Sequence, residues 1–218
     1  MPTAKTSISA DQVETKTKKA PRKRKSNVEA RHEDKKLLIL TTAAELFATH
    51  GYEVTSLDQI AEHVGIHKAT LYHYISNKES ILYECLQLSF KDLNSIINEM
   101  KDTNICVFER LRKFAISLAI AQNNIFGRCL SIVGPRPLGK ESSEEIKNFQ
   151  DNLDHIVRNL IKEGIADGKI KPCAPGVFSA MLFGAFTWVP RWYKEGGELN
   201  LEQIANLYVD ILIDGIRA

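Results

Sequence analysis

Apolar residues recur at helical spacing along most of the chain. In the first such segment they lie three, four, three and one positions apart, on one face of a helix, at Leu37, Leu40, Ala44, Phe47 and Ala48. His50-Gly51 predicts the end of this helix, because Gly suits the left-handed residue that follows a C-cap. No sustained period-two run is bounded by hairpin turns, so the pattern predicts an all-α fold. Further helices are predicted at 57–64, 68–74, 78 to about 100, 105–123, 125–133, 141–167, 174–194 and 201–216.

Residues 51–78 contain two short helical patterns around a Gly-centred turn. Thr55 or Ser56 can cap the first of these helices. Gly65 makes the turn, and Leu71 is the predicted buried anchor of the second helix. Two helices joined in this way form a helix-turn-helix, whose second helix fits the major groove of DNA. We therefore expect this stretch to bind DNA.

Several side chains off the buried face of the second helix have DNA-binding chemistry. Lys68 suits a guanine edge or a phosphate, and the small Ala69 permits close approach to a thymine methyl group. Tyr72 and Tyr74 have an alternative role as half-buried aromatics that pack the helix onto its neighbours. The candidates that suit phosphate or base-edge contacts are Thr70, Tyr72 and His73.

Charge is distributed unevenly along the chain. Residues 1–28 contain eight Lys/Arg and two acidic residues, whereas residues 29–80 contain five Lys/Arg and eight acidic residues. Because residues 1–28 also lack periodicity, we expect a disordered basic tail. It either solvates the chain, holds DNA phosphates or the minor groove, or serves as a nuclear localisation signal. A helix-turn-helix domain at 29–77 and a second helical domain at 78–218 are expected to follow.

The sequence disfavours several other classes of protein. No apolar run reaches the roughly 18 residues of a membrane span, and the N-terminus has no apolar secretory segment, so we expect a cytoplasmic protein. The four cysteines are widely scattered, which favours reduced thiols over a disulfide framework or a zinc site. No catalytic motif is present, so we expect no enzymatic activity, no cofactor and no metal.

The block from Ala43 to Glu84 resembles the TetR family of bacterial transcription regulators. The matching positions are Ala43, Leu46, Phe47, Gly51, Tyr52, Thr55, Ser56, Ile60, Ala61, Val64, Gly65, Leu71, Tyr72, Asn77, Lys78 and Glu79. The resemblance implies DNA contacts at Thr55, Lys68, Ala69, Tyr72, His73 and Lys78. In the family the position of His73 is often aromatic and that of Tyr74 is often His, so which of the two contacts phosphate stays open. His67 lies where a small polar residue is usual and is a further candidate.

The resemblance also implies that the helical domain at 78–218 is a ligand-binding and dimerisation domain. The pattern from Trp192 to Leu199 resembles a TetR subgroup that includes repressors responsive to acyl-CoA thioesters. Arg128 lies in an apolar segment and either forms a structural ion pair or binds an acidic group of the ligand. The candidate pocket residues, each of which has plain core packing as its alternative, are Phe114, Leu118, Phe126, Phe149, Phe178, Phe183, Phe186 and Trp188.

Two apolar helix faces near the C-terminus predict a dimer. One face comprises Phe178, Met181, Leu182, Ala185 and Val189, and the other comprises Ile204, Leu207, Tyr208, Ile211 and Leu212. Two such helices from each subunit would form a two-fold, four-helix interface. The alternative is a monomer with these apolar faces. Pro190 predicts a kink in the first of the two helices.

Together these patterns predict a homodimeric repressor on a palindromic DNA operator. A small hydrophobic effector, such as a fatty acid or an acyl-CoA, would release it through the long fourth helix. One alternative is a small-molecule sensor that binds no specific operator. The other is a non-specific nucleic-acid binder that depends on the basic tail.

Overall fold

A computed structural model of the chain describes residues 27–91 and 93–216. These residues form α-helices joined by short turns, which confirms the all-α prediction. The predicted tail lies outside the described residues except for positions 27 and 28, which belong to the first helix. None of the described helices is long and apolar enough to cross a membrane. The helices are α1 Asn27–His50, α2 Leu57–Val64, α3 Lys68–Leu71, α4 Lys78–Ser89, α5 Leu93–Glu99, α6 Val107–Asn123, α7 Ile125–Ile132, α8 Lys140–Ala166, α9 Pro175–Trp192 and α10 Leu201–Ile216.

Local capping interactions fix both ends of α2. The Ser56 hydroxyl accepts a hydrogen bond from the backbone N–H of Gln59, and the Gln59 side chain accepts one from the N–H of Ser56. This reciprocal pair is a capping box. Gly65 ends α2 with φ +69° and ψ +41°, a left-handed conformation that glycine adopts without steric cost. The chain therefore turns sharply between α2 and α3.

Two clusters of buried side chains hold the helices together. The N-terminal core contains side chains of α1 to α4, such as Phe47, Leu71 and Ile81, and also Cys129 of α7 and Ile146 of α8. The C-terminal core lies among α5, α6, α8, α9 and α10. The domain boundary at residue 77 stays a prediction, and the N-terminal core draws side chains from both sides of it.

The predicted fourth helix, from residue 78 to about 100, is interrupted. α4 ends at Ser89, and α5 begins at Leu93. The N–H of Phe90 donates to a carbonyl three residues back, which is a tighter turn than the α-helix makes. The buried Phe90 ring stacks on Phe149, with ring centroids 4.0 Å apart. The prediction of one continuous helix was wrong, because apolar periodicity runs across a turn that a distant aromatic contact holds.

Candidate DNA-binding surface and effector cavity

α3 presents a short polar surface and has one fully buried side chain, that of Leu71. Its α-helical part, Lys68–Leu71, is shorter than the predicted 68–74. Beyond it, the N–H groups of His73 and Tyr74 donate to carbonyls three residues back, at 3.1 and 3.0 Å, so the chain continues as a tight turn. Leu71 is fully buried and fixes this element on the N-terminal core.

Most of the predicted DNA-binding side chains lie on the outer side of this element. Tyr72 is 50% exposed, whereas Thr70 is half-buried. Tyr74 is also half-buried and stacks on the ring of His32, with centroids 4.6 Å apart. His73 is therefore more accessible than Tyr74. The exposed candidates are His67, Lys68, Ala69, Tyr72 and His73.

Lys68 is paired within the helix-turn-helix. Its Nζ lies 2.8 Å from Oδ2 of Asp58, and both side chains are largely exposed. The hydrogen bond to Asp58, together with the carboxylate charge, raises the pKa of Lys68, so the ammonium stays charged. An exposed ion pair contributes little to stability. Lys68 can therefore exchange Asp58 for a phosphate or a guanine edge at small cost.

Thr55 has an internal side-chain contact, and its predicted contact with DNA stays a prediction. Its side chain is 3% exposed, and its hydroxyl donates to the Gly51 carbonyl at 2.8 Å. Ser56, not Thr55, caps α2. Thr55 therefore holds the turn between α1 and α2, and its hydroxyl is not available at the surface.

Lys78 is likewise occupied inside the protein. Its Nζ donates to the carbonyls of Tyr52, Glu53 and Thr55 at 2.7, 3.3 and 3.1 Å. The same ammonium lies 4.2 Å from the centre of the Tyr52 ring. Because an ammonium has three N–H donors, none is left for a phosphate in this arrangement. These contacts clamp the start of α4 to the α1–α2 loop, and the phosphate contact of Lys78 stays a prediction.

A cavity of about 240 Å³ lies among the C-terminal helices, next to the turn between α4 and α5. Of the predicted pocket residues, Leu118 and Phe183 line it. Phe114 is packed edge-on against Phe183 behind the wall, with centroids 5.9 Å apart. The lining residues are Ser89, Phe90, Leu93, Leu118, Ala121, Gln122, Gly127, Leu130, Gln150, Asp151, Leu153, Asp154, Phe183 and Thr187.

The other predicted aromatic liners are placed elsewhere. Phe149 stacks on Phe90 and supports the cavity from behind, and Phe126 is packed against the N-terminal core. Phe178 and Phe186 are buried in the C-terminal core. Trp188 is 60% exposed on the outer side of α9, so it does not face the cavity. Helical periodicity alone could not distinguish side chains that face the cavity from those that face either core or the solvent.

Arg128 does not reach the cavity lining either. It is half-buried, and within the described residues it pairs with no carboxylate. The arginine that is buried is Arg110, which is 3% exposed and forms a two-pronged ion pair with Glu163. Arg110 also donates to the carbonyls of Ile105 and Met100 at 3.0 and 3.1 Å. Arg110 therefore fastens the α5–α6 connection to α8.

Hydrogen bonds join α4 to the start of α8. The Glu79 carboxylate accepts the backbone N–H of Gly139 at 2.7 Å. Farther along both helices, the Glu145 carboxylate accepts hydrogen bonds from the Tyr83 hydroxyl and the Gln87 amide. The helix that carries four of the cavity residues is thus linked to the helix that follows the DNA-binding element.

The predicted dimer faces remain only partly exposed, and two exposed side chains of α9, Val177 and Trp188, lie outside the predicted face. On α9, Val177, Met181 and Trp188 are 57–60% exposed, whereas Phe178, Leu182 and Val189 are buried in the monomer. On α10, Leu207 and Ile211 are 48% and 71% exposed. Val177, Met181 and Ile211 line one apolar hollow between the two helices, and Trp188 and Leu207 are also exposed on them.

Comparison with protein families accounts for both halves of the chain. A model of the bacterial regulatory proteins of the tetR family matches residues 39–85, and a model of tetracyclin repressor-like C-terminal domains matches residues 107–216. The chain belongs to the TetR family. It is a ligand-responsive, DNA-binding transcriptional regulator of the kind that this family comprises.

Several relatives of this TetR-family chain are repressors or regulators by name. The transcriptional repressor KstR2 of Mycolicibacterium smegmatis is 28% identical over 186 residues, which cover 82% of this chain and 88% of that protein. The fatty acid metabolism regulator protein of Bacillus subtilis is 25% identical over 189 residues, or 84% and 96% of the two chains.

Solved structures extend the comparison. KstR2 of Mycobacterium tuberculosis has a TM-score of 0.78 at 22% identity, over 86% of this chain and 95% of that chain, and so shows the fold alone. AibR, solved in complex with isovaleryl coenzyme A and operator DNA, has a TM-score of 0.72 at 27% identity, over 82% and 98% of the two chains.

The sequence did not indicate the polar part of the cavity. The polar lining residues occupy positions that a helical pattern assigns to ordinary solvated faces. They are Ser89, Gln122, Asp151, Asp154 and Thr187. Gly127 offered one local indication, because a glycine inside an apolar helix permits close backbone approach. A Cβ atom there would lie 1.8 Å from the carbonyl oxygen of Ala121.

Proposed function

We propose that this TetR-family regulator is a homodimeric repressor in which the outer side of α3 binds DNA. The main support is the set of exposed polar and aromatic side chains on α3, fixed by the buried Leu71. Lys68 and Ala69 would face base edges, and His67, Thr70, Tyr72 and His73 would contact phosphates or base edges. Thr55 and Lys78 would act indirectly, by holding the loop that precedes α2.

We propose that two subunits associate through the exposed surface of α9 and α10. An interface with two-fold symmetry would bury the exposed apolar side chains of these helices. They are Val177, Met181, Trp188, Leu207 and Ile211. In such a dimer the two-fold axis would relate one α3 helix to the other. Their operator would be a palindrome with half-sites about 34–36 Å apart, or a multiple of one helical turn.

The cavity is our proposed effector site. It is lined by Ser89 and Phe90, where α4 ends, and by α8, which hydrogen-bonds to α4 through Glu79 and Glu145. A ligand that binds better to one arrangement of these helices would shift α4, and α3 with it. Only such differential affinity can drive release from DNA.

We propose a small, largely apolar effector, with acyl-CoA thioesters and fatty acids as the first classes to test. The AibR complex with isovaleryl coenzyme A, and the fatty acid metabolism regulator among the relatives, support these classes. A non-specific binder that uses residues 1–28 is the competing function, and those residues lie almost entirely outside the described part of the chain.

Footprinting of the full chain over the promoter of its own gene tests the proposal. We expect a protected, two-fold symmetric site that disappears when an effector is added. Deletion of residues 1–28 should weaken binding and reduce its salt dependence, but the protected site should stay the same. Loss of all binding on that deletion would contradict the proposal in favour of tail-driven association.

A further inference from the structure

The hydroxyl groups that line the cavity are available only as hydrogen-bond acceptors. The Ser89 hydroxyl donates to the Leu86 carbonyl at 2.6 Å, and the Thr187 hydroxyl donates to the Phe183 carbonyl at 2.6 Å. A hydroxyl has one proton, and in both cases the backbone takes it. The oxygen lone pairs are what these two side chains offer to a ligand.

Two carboxylates of α8 add further acceptors. Asp154 accepts a hydrogen bond from the Ser179 hydroxyl, and its Oδ2 lies 2.6 Å from Nε of Arg158, which offsets its charge. Asp151 lies three residues earlier, is exposed, and forms no ion pair or hydrogen bond within the described part of the chain. Its negative charge at the cavity is therefore not compensated by an ion pair.

Donors in the lining are few. Among the lining side chains, the amides of Gln122 and Gln150 supply N–H groups, and the Gln122 carbonyl oxygen already accepts a hydrogen bond from Ser131. None of the described residues that line the cavity is Lys, Arg or His. The cavity thus combines apolar walls with an excess of acceptors and one unpaired negative charge.

We infer that the part of the ligand buried here is an apolar group that carries a hydrogen-bond donor, either a hydroxyl or a protonated amine, directed at Asp151. A carboxylate buried in the cavity would be repelled by the Asp151 carboxylate, so a fatty acid could place only its chain here. A donor would instead satisfy acceptors that the protein leaves open. The volume of about 240 Å³ limits the buried part to a ring or a medium-length chain. This inference rests on the proposed effector site.

Calorimetric titration of the full chain with octylamine, 1-octanol and octanoate tests the inference, since the three probes share one alkyl body. We expect octylamine and octanol to bind at least about tenfold more tightly than octanoate. Asp151→Asn should weaken octylamine about tenfold and change octanol by less than about threefold, because only the amine gains from the charge. Equal or tighter binding of octanoate would overturn the inference, as would unchanged octylamine affinity in Asp151→Asn.

Two control variants locate the binding. Glu144→Gln removes a carboxylate from the same helix at a side chain that is 59% exposed and does not line the cavity, so it should leave all three affinities unchanged. Ala121→Leu adds volume inside the cavity and should abolish binding of every probe. Octylamine binding that survives Ala121→Leu would place the amine elsewhere and would overturn the inference.

Release of operator DNA, followed by fluorescence anisotropy, separates this inference from the proposed function. Tight binding of octylamine and octanol without DNA release would contradict the effector role and would leave the cavity's preference for donors standing. DNA release by octanoate, with no binding of the other two probes, would support the effector role and overturn the inference.

Discussion

Replacing Lys78 with Met distinguishes a structural clamp from a phosphate contact. Lys78 donates three hydrogen bonds to loop carbonyls and lies over the Tyr52 ring. A hydrogen bond to a charged group contributes about 1.5–3 kcal/mol when it is shielded from water. Lys78 is half-exposed, and water can replace part of what is lost. We therefore expect the free energy of unfolding to fall by about 2 kcal/mol for the whole set of contacts.

The salt dependence of operator affinity gives the second half of this test. Each ammonium that neutralises a phosphate contributes about 0.9 to the slope of log affinity against log salt concentration. Lys78→Met should leave that slope unchanged, although the displaced loop lowers affinity at every salt concentration. Lys68→Met is the matched control: it should reduce the slope by about 0.9 per subunit and leave stability nearly unchanged.

Urea denaturation at fixed protein concentration and anisotropy titrations across a range of KCl concentrations supply the two measurements. If Lys78→Met reduces the slope as much as Lys68→Met does and leaves stability unchanged, the clamp is refuted. Lys78 would then have to leave the loop carbonyls when DNA binds.

Three further predictions test the packing of the folded chain. Gly65→Ala should destabilise the protein by about 1–2 kcal/mol, because φ is +69° there, whereas Gly215→Ala, in a helix with open space around it, should cause no loss in urea denaturation. Arg110→Met should cost about 3 kcal/mol in the same assay, because two carbonyls lose a donor and Glu163 loses its partner; a cost below about 1 kcal/mol would refute a structural role. Burial raises the pKa of the Cys129 thiol to about 12 from the ordinary 9.0. The stability that the buried neutral thiol contributes is therefore complete below pH 9.0 and is lost as pH rises towards 12. The thiol should stay unreactive to iodoacetamide at pH 8, and rapid alkylation of the folded protein at that pH would contradict its burial.

Local chemistry made the helix-turn-helix predictable from the sequence. The candidate cap at Ser56 and the left-handed glycine at Gly65 act through their immediate neighbours, and the buried anchor Leu71 lies within sixteen residues of both. Asn77 likewise caps α4, as its side chain accepts from the N–H of Ser80. Short-range interactions of this kind leave a direct trace in the order of residues.

Interactions between distant residues explain the errors. At the turn after α4, Phe90 stacks on Phe149, which is distant in the sequence. The contacts of Thr55 and Lys78 depend on which backbone carbonyls the folded loop directs at them. Periodicity shows that a helix face is apolar, but not whether a core, a cavity or a partner subunit covers it. For this reason Trp188 and Phe126 were indistinguishable from true cavity residues such as Phe183.

In the proposed function, α3 in a two-fold dimer selects a specific DNA sequence. Selection from a pool of random duplexes with the full chain measures this selectivity. We expect enrichment of a palindrome with half-site centres about one helical turn, or a multiple of one, apart. Lys68→Met and Tyr72→Ala should relax or change the enriched half-site. Enrichment of no symmetric sequence, or of the same palindrome by both variants with equal stringency, would contradict sequence selection by α3.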